Sequence, residues 1–365
     1  MNKIYAYLKK ASTIALAAMS MYLVLQSCDS AIYDYEGDCS VTYRMKFVYD
    51  KNMKWADAFS NEIKSIRLYA FDADGNLVWQ KTESGSILAE DGYTMTMDLP
   101  SGEYDFIAWA GLDNEDASET HFSVAEELTK GDLRLEDLKC SLIREHIDGK
   151  AVSQKRLQEL YHGMTKVNLP DLENDGGTFD CKMFLTKNTN SVHIILQQLS
   201  GEDVDVNDFT FTVEEDNGLI AHDNSLLSDE IITYIPHNIR NGSAGLGIDD
   251  YPIVGNVANT KSKADAETNI SVAIADLTIS RLIDGRKTYM TIRRNTDSGI
   301  VARVPLVDYA LLLKDGYGRE MTNQEYLDRQ DEYTLTFFLD RSQNWISSSI
   351  IINSWKVVLN NVDFQ

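Results

Sequence analysis

Ile63-Lys-Ser-Ile-Arg-Leu-Tyr-Ala-Phe71, followed by Asp72-Ala-Asp-Gly-Asn76 and then Leu77-Val-Trp-Gln80, decides the fold class. Two apolar stretches flank five residues of turn-forming composition, which is the signature of a β-hairpin. The same period-two alternation recurs on both sides. Upstream, Val41 to Asp50 alternates as a strand. Downstream, Tyr93 to Leu99 puts Thr94, Thr96 and Asp98 on one face and Tyr93, Met95 and Met97 on the other. Pro100-Ser-Gly102 then turns the chain into Tyr104 to Ala110. The connection from Glu126 to Leu160 is less strand-like and is expected to hold helix. His162-Gly163-Met164 reads as a loop before Thr165 to Leu169, which closes a first sandwich.

Asp171-Leu-Glu-Asn-Asp-Gly-Gly177 is acidic and turn-rich, as a linker would be. It places one domain at residues 41–176 and a second at 177–365. The second opens with Cys181 to Leu185 and Val192 to Leu199, and continues through Phe209 to Val213 and Ile231 to Ile235. Ile270 to Ile283, Thr288 to Ile292 and Ile300 to Leu306 follow, and Tyr333 to Leu339 and Ile350 to Leu359 finish the chain as strands. Thr322 to Arg329 reads as one short helix, with Thr322 as N-cap and Glu325 at its third position. Many short strands with few helices mean an all-β chain of two β-sandwich domains in tandem, with minor helix in the connections.

The first 27 residues are laid out as an export signal. Lys3, Lys9 and Lys10 give a positive start, and Ile14 to Leu25 is apolar apart from Ser20. That stretch is too short to cross a hydrocarbon core about 30 Å thick. It ends in Leu25-Gln-Ser-Cys28, which resembles the lipobox of bacterial lipoproteins. The resemblance implies cleavage between Ser27 and Cys28 and a diacylglycerol on the Cys28 sulfur. Residues 28–40 then form a short, acidic, lipidated tether. Each buried methylene contributes about 0.8 kcal/mol, so two or three acyl chains hold a protein far more firmly than one.

Cleavage also removes three lysines and no acid, so the formal charge of −23 falls to −26. Such a chain lacks the Lys and Arg needed to neutralise phosphates, which argues against nucleic-acid partners. It also argues against docking on anionic lipid through protein charge. At 43% hydrophobic residues, the chain fills an ordinary core.

With Cys28 acylated, Cys39, Cys140 and Cys181 remain. An odd number leaves room for one disulfide, whose pair the sequence does not assign. No two share the spacing of a zinc knuckle. His121, His146, His162, His193, His222 and His237 are scattered, without a close pair. Asp72, Asp74, Asn76 and Glu83 match positions one, three, five and twelve of a calcium loop, but Leu77 stands where that loop needs glycine and the flanks are strands. A turn explains them better. Glu214-Glu215 and Asp249-Asp250 are acidic pairs of the kind expected by chance among 57 acidic residues. No phosphate-binding loop or nucleophile elbow is present. The expectation is a non-enzymatic protein with no cofactor, metal or small-molecule substrate.

Three stretches carry a family resemblance. They are the lipobox with Tyr33-Asp-Tyr-Glu-Gly-Asp-Cys39, Asp57-Ala-Phe59 leading into Leu68-Tyr-Ala-Phe-Asp-Ala-Asp-Gly75, and Glu325-Tyr-Leu-Asp-Arg-Gln-Asp-Glu-Tyr333 with Ile350-Ile-Ile-Asn-Ser-Trp-Lys-Val357. Together they resemble the FimB-type anchor or minor subunits of Bacteroidales fimbriae. That resemblance implies two transthyretin-like Greek-key sandwiches, a place at the outer membrane, and assembly with fimbrial subunits by strand donation. In the related polymerising subunits it further implies that a trypsin-like protease removes the first segment. Here residues 29–43 hold no Lys or Arg, and Arg44 and Lys46 fall inside the first strand, so that strand is expected to stay. Lys51 and Lys54 beyond it remain sites for a cut. A glycan-binding surface lipoprotein, with a tip adhesin as its variant, is the alternative, and a surface hydrolase is the third reading. Trp55, Trp79, Trp109, Trp345 and Trp355 clustered at one end would favour the glycan binder; two deep carboxylates in one cleft would favour the hydrolase.

Overall fold

The computed structural model describes residues 41–112, 120–124, 133–171, 177–198, 200–244, 270–317 and 320–358. Strands dominate. The first half holds β1 (Val41–Val48), β2 (Ser65–Phe71), β3 (Leu77–Ser84), β4 (Met95–Met97), β5 (Gly102–Ala110), β6 (Phe122–Val124), β7 (Lys139–Leu142), β8 (Glu145–Ile147), β9 (Lys150–Ser153), β10 (Tyr161–Leu169), β11 (Gly177–Phe184) and β12 (Thr186–Lys187). The second half holds β13 (Thr189–Gln198), β14 (Phe209–Glu215), β15 (Leu219–Ala221), β16 (Ile232–Tyr234), β17 (Asn238–Ala244), β18 (Ile270–Ser280), β19 (Tyr289–Arg294), β20 (Ile300–Pro305), β21 (Glu332–Leu339), β22 (Trp345–Ile352) and β23 (Trp355–Val358). Among the described residues, α-helix is limited to α1 (Phe59–Glu62), α2 (Leu306–Leu311) and α3 (Asn323–Arg329). The chain is all-β with minor helices, as its alternation implies.

The hairpin around Asp72 to Asn76 forms as expected. β2 pairs antiparallel with β3, and the turn closes on Asp72, whose carboxylate accepts the Asp74 and Asn76 N–H groups at 3.0 and 2.8 Å. Gly75 takes φ +78 there, a conformation that costs glycine nothing. α3 forms too, with the Thr322 hydroxyl accepting the Glu325 N–H at 3.1 Å.

Two sheets make the first sandwich. One has the order β11-β1-β4 and the other β12-β10-β5-β2-β3. Ile66, Leu68 and Ala70 of β2 face Tyr43, Met45 and Phe47 of β1 in one core. The intervening Tyr69 and Phe71, with Ile107 and Trp109 of β5, belong to a second core. This sheet is therefore buried on both faces, and so β2 and β5 read as nearly continuous apolar runs. The second core also collects the inner faces of two six-stranded sheets, β17-β18-β13-β21-β22-β23 and β20-β19-β14-β16-β9-β8. A three-stranded sheet, β15-β7-β6, contributes Phe122, Cys140 and Ile220.

Several expectations need correction. Sheet membership crosses the expected boundary between 41–176 and 177–365. β11, which starts at Gly177, pairs with β1, whereas β9 pairs with β16 and β7 with β15. The acidic run at 171–177 therefore stands between β10 and β11, two strands that both belong to the first sandwich. Residues 172–176 themselves lie outside the described residues. The described part of the 126–160 connection holds β7, β8, β9 and a single 3-10 turn at Leu135–Asp137, with no α-helix. Its strands are three or four residues long, too short for alternation to show. His162-Gly163-Met164 lies within β10. Gly163 is needed there because a Cβ would sit 2.8 Å from the Met183 and Leu185 side chains. Ile350 to Leu359 is no single strand: the chain reverses at Asn353-Ser354, with φ +44 and +72, to form the β22–β23 hairpin. Leu359 lies outside the described residues.

Candidate interaction site at the first strand

β1 spells Val41-Thr-Tyr-Arg-Met-Lys-Phe-Val48, and its alternation sorts the side chains. Tyr43, Met45 and Phe47 are at most 4% exposed, whereas Thr42, Arg44 and Lys46 face outward. The strand occupies the middle of its sheet. Eight residues run parallel to β11, from Val41 opposite Gly177 to Val48 opposite Phe184. On its other side Tyr43 to Met45 run antiparallel to Met97 to Met95. Without β1, β11 and β4 lose their common partner and the core lies open between them.

The buried side chains are held specifically. The Tyr43 hydroxyl donates to the Pro170 carbonyl at 2.6 Å. Phe47 stacks on Phe59, and Phe59 on Tyr93, with centroids 5.7 and 5.9 Å apart. Just past the strand, Tyr49 meets Tyr161 edge-on at 5.0 Å. Full burial of a large apolar side chain stabilises by about 1.5–3 kcal/mol, so three account for roughly 5–9 kcal/mol. That is comparable to the whole stability of a typical domain, about 5–15 kcal/mol.

Two basic residues near β1 are engaged, Arg44 and Lys51. Arg44 forms a two-pronged ion pair with Asp180 of β11, at 2.7 and 3.0 Å. Hydrogen bonding from Arg44 lowers the Asp180 pKa. Lys51 donates to the Thr186 hydroxyl at 3.1 Å and lies 3.7 Å from Asp328.

Beyond Tyr49 the chain overhangs the outer face of the six-stranded sheet led by β17, enclosing a polar cleft of about 1330 Å³. At its floor the Asp276 carboxylate accepts from His193 Nδ1 at 2.8 Å, from Asn238 at 2.9 Å and from Arg240. Burial works against the charge of Asp276, yet these donors hold its pKa down to about 2. Burial likewise opposes charging of His193, but Asp276 and Glu332 raise its pKa to about 9. At the rim Lys187 reaches Asp331 at 2.8 Å and Glu159 at 3.1 Å. Burial lowers the Lys187 pKa, and these two acids more than offset that. The cleft carboxylates with a resolved shift, Asp276 and Glu332, are both lowered by their partners, which is opposite to what a general acid needs. Sequence reasoning missed this cluster, because His193 and Asp276 meet only through the β13–β18 register.

The remaining sequence candidates fall as follows. Ser27, Cys28, Cys39 and Asp249-Asp250 lie outside the described residues. Cys140 and Cys181 are free and buried. They sit in different cores, and burial raises both thiol pKa values, that of Cys181 to about 11. The calcium-like residues make a turn: Asp72 is spent on backbone, and Glu83 pairs with Tyr93 and with Lys81. Among the described residues no three metal-capable side chains converge. Glu215 is buried against Arg286 at 2.8 Å and Thr288 at 2.6 Å. His162 is buried beside Trp109, its Nε2 2.7 Å from the His222 carbonyl, and burial lowers its pKa to about 4. His146 lies 3.0 Å from Glu230 at the surface. Trp79 and Trp109 are core residues, Trp345 packs edge-on against Phe337, and Trp55 lies under the Arg329 guanidinium. These four make no shared exposed platform. No helix among the described residues is long and apolar enough to cross a membrane.

A family model described as the fimbrillin-A associated anchor proteins Mfa1 and Mfa2 matches residues 35–361. The chain belongs to this family. Its solved relatives agree with the assignment. A candidate adhesin from Bacteroides thetaiotaomicron is 31% identical with a TM-score of 0.73, covering 88% of this chain and 98% of its own. A candidate polysaccharide-binding protein from the same organism is 29% identical with a TM-score of 0.71, covering 88% and 99%. The fimbrial anchor protein Mfa2 of Porphyromonas gingivalis shares the fold at 16% identity and a TM-score of 0.59, over 88% of this chain and all of its own. No curated protein sequence matches the chain. Membership makes this anchor-family protein a fimbrial accessory subunit of the cell surface, and the family is one of anchors and adhesins, not of catalysts.

Proposed function

We propose that this subunit is a non-enzymatic, lipid-anchored fimbrial anchor that keeps β1 in its own groove and binds one fimbrial subunit by strand complementation. The observation that carries the reading is the central position of β1, with Tyr43, Met45 and Phe47 buried and both strand edges paired. Arg44 supports it, because a trypsin-like enzyme needs several residues on each side of the cut in extended, unpaired form, and Arg44 is paired on both sides. The lipobox at Leu25 to Cys28 supplies the tether to the outer membrane, through a diacylglycerol on Cys28. With its first groove filled, the subunit meets its partner at another edge. β23 is suited to this, since among the described residues it pairs only with β22.

The test is N-terminal analysis of the protein recovered from assembled surface fibres. The anchor reading expects an acylated N-terminus at Cys28 and few copies per fibre. Many copies per fibre, starting after Arg44 or Lys51, would defeat it.

A further inference from the structure

We propose that Arg329 and Asp328, at the C-terminal end of α3, form a latch over the segment leaving β1, and that this latch keeps the peptide bonds after Lys51 and Lys54 from trypsin-like cleavage. The proposal rests on the reading that β1 is retained, and names what protects the exposed basic side of that strand. Sequence alone leaves Lys51 and Lys54 as sites for a cut, because both follow β1 directly.

The contacts are specific. Arg329 donates from Nη1 to the Asp50 carbonyl at 2.8 Å, across 279 residues of chain. The same guanidinium lies 3.5 Å from the ring centroid of Trp55, a stacking distance. Asp328 attracts Lys51 at 3.7 Å. Arg329 and Asp328 are both buried, unusual for charged residues unless paired. Their pairing is complete: Glu325 holds Arg329 at 3.0 Å, and Arg281 and Gln324 hold Asp328 at 2.7 and 2.8 Å. Arg281 in turn donates to the Asn224 carbonyl at 2.6 Å, so the latch is fixed to the body of the protein.

The segment beneath is folded tightly. Asn52 donates to the Tyr49 and Ala56 carbonyls at 3.1 and 2.7 Å, and the Ala58 N–H returns to the Tyr49 carbonyl at 2.9 Å. Trp55 sits at φ +56, where a bulky L-residue is strained. Strain of that kind persists only where neighbours impose it, and Arg329 packs directly on the ring. A protease must straighten several residues around Lys51 or Lys54, which means breaking the Asp50, Lys51 and Trp55 contacts together.

The experiment is limited trypsin digestion of the mature chain, with the rate of each cut followed by mass spectrometry. Arg329→Gln removes the guanidinium, and Trp55→Leu removes the ring at a half-buried position. Each variant is expected to raise the initial cutting rate at Lys51 or Lys54 by about tenfold or more, because cleavage of a locally opened segment tracks its opening equilibrium. Cuts elsewhere should keep their wild-type rates. Unchanged rates at Lys51 and Lys54, or an equal rise at every site, would overturn the latch; so would rapid cutting at Lys54 in the wild type. The anchor reading fails separately: fibre protein starting after Arg44 would end it while leaving the latch intact. Fibre protein that keeps β1, with variants no faster than wild type, would end the latch alone.

Discussion

Phe47→Ala is the sharpest test of β1 as a core strand. Phe47 is fully buried and stacks on Phe59 at 5.7 Å, so truncating it leaves a cavity in the core. Truncating a buried phenylalanine costs about 3–5 kcal/mol through lost transfer energy and the cavity left behind. In a unit of about 150–250 residues each kcal/mol lowers Tm by roughly 2–4 °C, so the expected fall is about 6–20 °C. Lys46→Ala is the matched control, one residue away on the outer face, and should stay within about 0.5 kcal/mol of wild type. Differential scanning fluorimetry on both variants reads the contrast. A Phe47→Ala shift no larger than that of Lys46→Ala would refute the placement of β1 between β11 and β4, and the retained-strand reading with it.

Cys28→Ala should give protein without acyl chains, and intact-mass measurement showing an unmodified mature N-terminus in the wild type would refute lipidation there. Thr322→Ala removes the hydroxyl that accepts the Glu325 N–H and should cost about 1 kcal/mol, measured by thermal melting. Gly163→Ala drives a methyl against Met183 and Leu185 and should cost about 1–3 kcal/mol in the same assay. The His193 pKa is raised to about 9, so its contribution is complete below pH 6.5 and is lost as pH rises through 9. His193→Gln should therefore flatten the decline in stability between pH 7 and 9, and an identical decline in the variant would refute the assignment.

What was legible in the sequence was local. The β2–β3 hairpin follows from the turn residues Asp72 to Asn76, and α3 from Thr322 and Glu325. The inward set of β1 follows from strict alternation between Thr42 and Phe47. The parallel pairing of β1 with β11 was not legible, because nothing in either strand records a partner some 136 residues away. The same holds for the His193–Asp276–Arg240 cluster, assembled from three strands by register alone. The turn at Asn353-Ser354 differs: its signal is local, since asparagine tolerates positive φ, but it stands within the apolar run from Ile350 to Val357, and the period-two pattern masked it. The sheet pairing that crosses residue 177 was not legible either, because the acidic composition of 171–177 says nothing of which strands pair on either side of it.

Under the proposed function, the placement of β1 also bears on how this subunit would end a fibre. Strand complementation extends a polymer only if each subunit both offers a strand and has a vacant groove to receive one. In this chain β1 lies between β11 and β4 and fills the groove of the first sandwich with its own Tyr43, Met45 and Phe47. A competing strand has to displace interactions worth roughly 5–9 kcal/mol before it gains its own. It also competes against a segment joined to the body at Asp50, which returns at high effective concentration whenever it leaves. The groove is thus closed both energetically and by connectivity, and under the proposed function exchange falls to an edge such as β23. Under the proposed function a subunit with one usable edge and a tether at its other end stops growth at the membrane. Releasing β1 by a cut at Lys51 would remove the connectivity term first, and that is the step the Arg329 latch opposes.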